Sequence, residues 1–192
     1  MSVISGKKIL EEIGNGSIVI NPFDMNHLNP ISVDLTLGSK VAVYESVTEI
    51  RHGEIEIKSG SYIDSKKEEP VHTFDIPDSG LVLKPGIGYL MHTHEMVGTK
   101  KYVPIIDGKS SVGRLFIQIH STAGLGDPGF FGQFTLEVMV SQKVKVYKGM
   151  RIGQVRFYEI SGEYDSYETT GNYNGINAIG PIPSKLWKSF NG

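Results

Sequence analysis

Residues 133–140 read QFTLEVMV. Phe134, Leu136, Val138 and Val140 share one side of the alternation; Thr135, Glu137 and Met139 share the other. A period of two sustained over this length marks a β-strand with one face in a core. The pattern extends outward from here. RLFIQIH (114–120) alternates in the same way, so a second strand is expected there, with Leu115, Ile117 and Ile119 on one face. ISVDLTLG (31–38) sets Val33, Leu35 and Leu37 against Ser32, Asp34 and Thr36. Residues 40–45 and 54–58 are plausible strands. LVLKPGIGYLM and VKVYKGMRIGQVRFYEI each hold a turn between apolar runs, at Pro85-Gly86 and Lys148-Gly149. One helix is expected, over SGKKILEEI (5–13), capped by Ser5 and stopped by Gly14-Asn15-Gly16.

Many short strands, one helix and 23 glycines in 192 residues predict an all-β barrel or sandwich, glycine being well above its usual ~7% share. The length suits one domain, 1–192. From about residue 162 the alternation fades into Gly, Asn, Tyr and Thr, as expected of a C-terminal tail or lid over 162–192. The charged run SKKEEP (65–70) reads as solvated loop.

Composition excludes several classes of function. The net charge of -2 argues against a general nucleic-acid binder, which carries a basic excess. No cysteine is present, so disulfides, thiolate metal sites and cysteine nucleophiles are excluded. The N-terminus is charged where a signal peptide needs an apolar run, and no segment reaches the ~20 apolar residues of a membrane span. The expected setting is the cytoplasm, without a membrane partner.

Three stretches can carry chemistry. DGKSSVGRLF (107–116) is either a polar turn or a cradle in which backbone N–H groups, hydroxyls and cations meet phosphate. STAGLGDPGFFG (121–132) is a glycine-rich loop; Asp127-Pro128-Gly129 fits a type II turn, and Asp127 is either its starter or a functional carboxylate. Glu137 is a solvated carboxylate, an ion-pair partner of Arg114, or a general base. His92 and His94 share a strand face without a third ligand at a telling spacing. His120 is expected to pack or bond locally, and Trp187 to anchor the tail.

Taken together these blocks resemble the dCTP deaminase family of the trimeric dUTPase superfamily. Its pattern is Gly-Arg-Ser-Ser-x-x-Arg, His-x-Thr-Ala, Asp-x-Gly-aromatic-x-Gly and Leu-Glu. This chain has Gly108-Lys109-Ser110-Ser111-Val112-Gly113-Arg114, His120-Ser121-Thr122-Ala123, Asp127-Pro128-Gly129-Phe130-Phe131-Gly132 and Leu136-Glu137 at matching spacing. The likeness spans about residues 4–160. It implies a distorted jelly-roll barrel, a homotrimer with active sites between subunits, and zinc-independent hydrolytic deamination of dCTP to dUTP. In that scheme Glu137 is the general base, with Ser110 and Arg114 supporting the water. Ala123 meets the base and Asp127 the deoxyribose. Lys109, Ser110 and Ser111 hold phosphates, with Mg2+ on the triphosphate. Thr135, Tyr173 and Lys185 are further substrate-binding candidates. A zinc-deaminase signature needs cysteines, which are absent here.

Two departures qualify the match. Gly124 follows Ala123 where single-activity deaminases carry a bulky residue. Glycine there resembles the dUTPases and the bifunctional enzymes that continue to dUMP and pyrophosphate, Asp127 then serving the second step. The tail run Asn172-Tyr173-Asn174-Gly175-Ile176 lacks the family's Lys and Gln, which touch phosphate from a closing lid; Ser184-Lys185 remains. The alternatives are a dUTP diphosphatase without deamination and a non-enzymatic trimeric nucleotide-binding protein.

Overall fold

In a computed structural model the chain is described over residues 2–173 and 179–191. Ser5 caps helix α1 (Gly6–Gly14) by accepting the Lys8 N–H. Strands β1 (Ile18–Asn21), β2 (Val33–Thr36), β3 (Lys40–Tyr44), β4 (Thr48–Arg51), β5 (Glu54–Ile57), β6 (Val71–Asp75), β7 (Leu81–Leu83), β8 (Tyr89–Thr99) and β9 (Tyr102–Gly108) follow. A one-turn helix α2 (Ser110–Gly113) then leads to β10 (Ile117–Gln118), β11 (Phe131–Val140), β12 (Val144–Val146) and β13 (Arg151–Glu159). The tail adds two short helices, α3 (Tyr167–Thr170) and α4 (Lys188–Asn191).

The strands form one large sheet, β10-β11-β8-β3-β6 with β1 on β8, a three-stranded sheet β2-β13-β9, and the pairs β12-β7 and β4-β5. The pairings are antiparallel. This is a jelly-roll-like, all-β fold whose sheets do not close into one continuous ring among the described residues. One core joins the sheets: Val41, Val43, Tyr89, Met91, Leu136 and Val138 from the large sheet meet Val33, Leu35, Ile106, Val155 and Phe157 from the three-stranded one. Each such large side chain contributes about 1.5–3 kcal/mol by leaving water.

Strand β11 follows its sequence pattern, with Leu136, Val138 and Val140 buried and Met139 exposed. Residues 114–120 do not. Arg114 to Phe116 turn away from α2, Phe116 adopts φ 58°, and only Ile117 and Gln118 pair with β11. Leu115 and Phe116 are exposed. Turns here offer backbone partners that a continuous strand would replace: Leu115 and Phe116 N–H groups donate to Val112 and Gly113. The polar side of 31–38 also differs from a simple half-buried strand. Ser32, Asp34 and Thr36 are all buried, because β2 lies inside the fold with cover on both faces. Thr36 donates to buried Glu95, and Asp34 meets Asn29, Lys109 and Arg151.

Candidate active site

Strand β11 carries Gln133, Thr135, Glu137 and Met139 along one face, and this face forms the floor of a cavity of about 570 Å3. The loop after β10 supplies one wall through Ser121, Thr122, Ala123, Leu125 and Asp127. Its path is set by backbone hydrogen bonds to β9. Ile106 N–H donates to Gly124 C=O at 2.6 Å, and Gly126 N–H to Pro104 C=O at 2.8 Å. Asp127-Pro128-Gly129 turns the chain back into β11. Gly129 has φ 99°, and Phe130 N–H donates to Asp127 C=O at 3.1 Å. That is the type II turn expected from the sequence, with glycine where φ must be positive.

Glu137 Oε2 accepts the Ser121 N–H at 3.3 Å, which ties the loop to the strand. Phe130 and Phe134 pack with their rings tilted and their centres 4.7 Å apart, giving the cavity an apolar end, and Tyr167 from the tail meets Phe130 edge-on at 6.2 Å. Among the described residues the lining includes two carboxylates, Asp127 and Glu137, and no Lys, Arg or His. Such a pocket suits the uncharged part of a ligand, and any phosphates must be met by cations from elsewhere.

Of the expected site residues, Ala123, Asp127, Thr135, Glu137 and Tyr173 line this cavity. Lys109, Ser110, Ser111, Arg114 and Lys185 do not. Arg114 is exposed, and among the described residues it has no ion pair with Glu137, whose carboxylate accepts the Ser121 N–H. Within one chain, then, the alternative of an Arg114–Glu137 ion pair is not realised: 108–114 folds as an outward-facing helical turn, with Val112 in the core and Ser110, Ser111 and Arg114 in solvent. Lys109 is already engaged, pairing with the buried Asp34 carboxylate at the start of that turn. Lys185 lies in the tail, its Nζ 5.0 Å from the Tyr173 ring centre and donating to Asn172 C=O. Asn174, Gly175 and Ile176 lie outside the described residues.

His92 is structural in arrangement. His92 is buried; its Nδ1 lies 2.9 Å from Thr93 C=O and its Nε2 accepts the Lys40 N–H at 3.2 Å. This pattern assigns the neutral ring with its proton on Nδ1. Burial holds its pKa below the ordinary histidine value. His94 is exposed. Among the described residues no three His, Asp or Glu side chains cluster as a metal site. No helix among the described residues is long and apolar enough to cross a membrane.

Sequence reading missed Tyr44, Gln133 and Tyr167 in the lining. Gln133 was within reach, since it continues the period-two face of Thr135 and Glu137. Tyr44 and Tyr167 enter from distant segments and left no local signal.

Comparison with known proteins bears on what this cavity holds. A family model described as dCTP deaminase-like matches residues 3–160. A protein of Clostridium beijerinckii named "dCTP deaminase, dUMP-forming" is 42% identical over 188 residues, which is 98% of this chain and 98% of that one. A protein of the same name from Leptospira biflexa serovar Patoc is 38% identical over 188 residues, with the same coverage. Among solved structures, the 2'-deoxycytidine 5'-triphosphate deaminase of Agrobacterium tumefaciens superposes with a TM-score of 0.61 at 22% identity, over 87% of this chain and 51% of that one. At that identity the likeness bears on the fold alone.

Proposed function

The chain belongs to the dCTP deaminase-like family and is an enzyme of that kind, and on that premise we propose that it converts dCTP to dUMP, with ammonia and pyrophosphate as the other products. The carrying observation is that Glu137, Asp127 and Ala123, from three separate sequence blocks, line one cavity of about 570 Å3. In this reading the cytosine enters between the 121–127 loop and β11. Glu137 takes a proton from water, the water oxygen attacks C4, and Glu137 returns the proton to the departing amine. The exocyclic C–N bond breaks and ammonia leaves. A second water then attacks the triphosphate with help from Asp127, releasing pyrophosphate. Mg2+ supplies charge neutralisation on the phosphates when bound with the substrate.

Release of dUMP, rather than arrest at dUTP, is favoured by Gly124 and by the names of the relatives. A Cβ at Gly124 would fall inside 3.0 Å of the Ile106 carbonyl oxygen and 3.1 Å from His120 Nε2. This loop path therefore excludes the bulky residue of single-activity deaminases.

The missing cations point to an oligomer. Ser110, Ser111 and Arg114 face solvent, and next to them Leu115 and Phe116 are 47% and 58% exposed. On the cavity side Leu125 and Met139 are exposed as well. In our reading a neighbouring copy in a homotrimer covers these apolar side chains and brings its Ser110, Ser111 and Arg114 to the cavity, where they meet water and phosphate. The chain acts as one domain, its last segment from about residue 162 serving as a lid, in the cytoplasmic nucleotide pool. The test is incubation with dCTP and Mg2+ followed by anion-exchange separation. We expect dUMP without accumulating dUTP; a dUTP end product would limit the enzyme to deamination, and survival of dCTP would refute the proposal.

A further inference from the structure

Residues 180–184 read GPIPS. Pro181 and Pro183 have no N–H and bias the backbone around them towards extended conformations. The run therefore has backbone donors only at Gly180, Ile182 and Ser184, and all three are used. Gly180 N–H donates to Gln133 Oε1 at 2.7 Å, Ile182 N–H to Thr135 Oγ1 at 3.0 Å, and Ser184 N–H to the Tyr44 hydroxyl at 2.9 Å. The acceptors are side chains of the cavity lining. The Gln133 amide is oriented for this, since its Nε2 donates to His94 C=O at 2.9 Å and leaves Oε1 for Gly180. Past the run, Lys185 N–H donates to the Tyr173 hydroxyl at 2.8 Å.

The segment covers the cavity without filling it. Ile182, Pro183 and Ser184 belong to the lining, yet about 570 Å3 remains beneath them, within the range of small-molecule sites. We infer that Tyr44 and Gln133 are positioning residues that latch a proline-stiffened strap over the reaction pocket, enclosing bound nucleotide without touching the reacting atoms. The latch stands on these contacts alone; its kinetic consequence rests on the function proposed above.

Tyr44→Phe removes one acceptor and keeps the ring; Gln133→Ala removes another on a different strand. Two readouts apply to the full-length protein. In the absence of nucleotide, trypsin cleavage after Lys185 and Lys188, followed by mass spectrometry, is expected to quicken about fivefold in each variant, the ratio given by loss of one ordinary hydrogen bond when cleavage tracks the open population. With dCTP, KM is expected to rise about fivefold with kcat within a factor of about two. Unchanged cleavage in both variants overturns the latch. A fall in KM also overturns it, because the strap would then compete with substrate. If the wild type does not turn over dCTP, the failure belongs to the proposed function, and the cleavage arm still decides the latch.

Discussion

Gly124→Ala tests whether the cavity wall is held where the chemistry needs it. The added Cβ would come within 3.0 Å of the Ile106 carbonyl oxygen, a backbone atom of β9 that cannot swing aside, and 3.1 Å from His120 Nε2. Loop and strand must separate by about 1 Å to reach ordinary contact. That movement strains the 2.6 Å Ile106–Gly124 and 2.8 Å Gly126–Pro104 hydrogen bonds together. Overpacking costs about 1–3 kcal/mol and each lost hydrogen bond about 1 kcal/mol. A total of about 3 kcal/mol lowers Tm by roughly 6–12 °C in a chain of this size. The displaced wall includes Ala123 and Leu125, and a shift of about 1 Å at a reacting site costs on the order of 100-fold in rate. Calorimetry and ammonia release measure the two effects. A variant melting within about 2 °C of wild type, with undiminished turnover, would refute the account, since the loop would then have room that the geometry denies it.

Glu137→Gln should lower ammonia release by about 10²–10⁴-fold, the usual range for loss of a general base, while nucleotide still binds in calorimetric titration; retained turnover removes Glu137 from that role. Arg114→Ala should leave each chain folded, because the side chain is exposed within the chain, yet abolish activity. Mixing it with Glu137→Gln after denaturation and refolding should restore activity in about a quarter of sites if each site joins two copies, and no recovery would argue for sites within one chain. Acid should weaken the fold in an order set by His92. Its folded pKa is held below the ordinary value by burial, so the unfolded chain binds the extra proton. Stability is full above about pH 6.5 and declines as pH falls below it. Glu12, held below the usual carboxylate range by Lys101 and Lys8, adds a second loss below about pH 4.3. A melting temperature flat from pH 7.5 to 5.5 would contradict the assignment of His92.

What this sequence settles alone is whatever short-range physics dictates. β11 was legible because one face of QFTLEVMV is buried and the other is not, and Ser5, Gly14 and Asp127-Pro128-Gly129 were legible because caps and turns are local chemistry. The spaced motif blocks carried the family. The alternation of 114–120 misled because it shows that a strand is possible, whereas the carbonyls of α2 competed for the same N–H groups. The tertiary structure decided which groups share a cavity. Glu137 lines the cavity and Arg114 of the same chain does not, Lys109 is claimed by a buried aspartate, and Tyr44 meets Ser184 across 140 residues of sequence. Pairings of that kind depend on where the sheets bring distant segments together, and no local pattern records it.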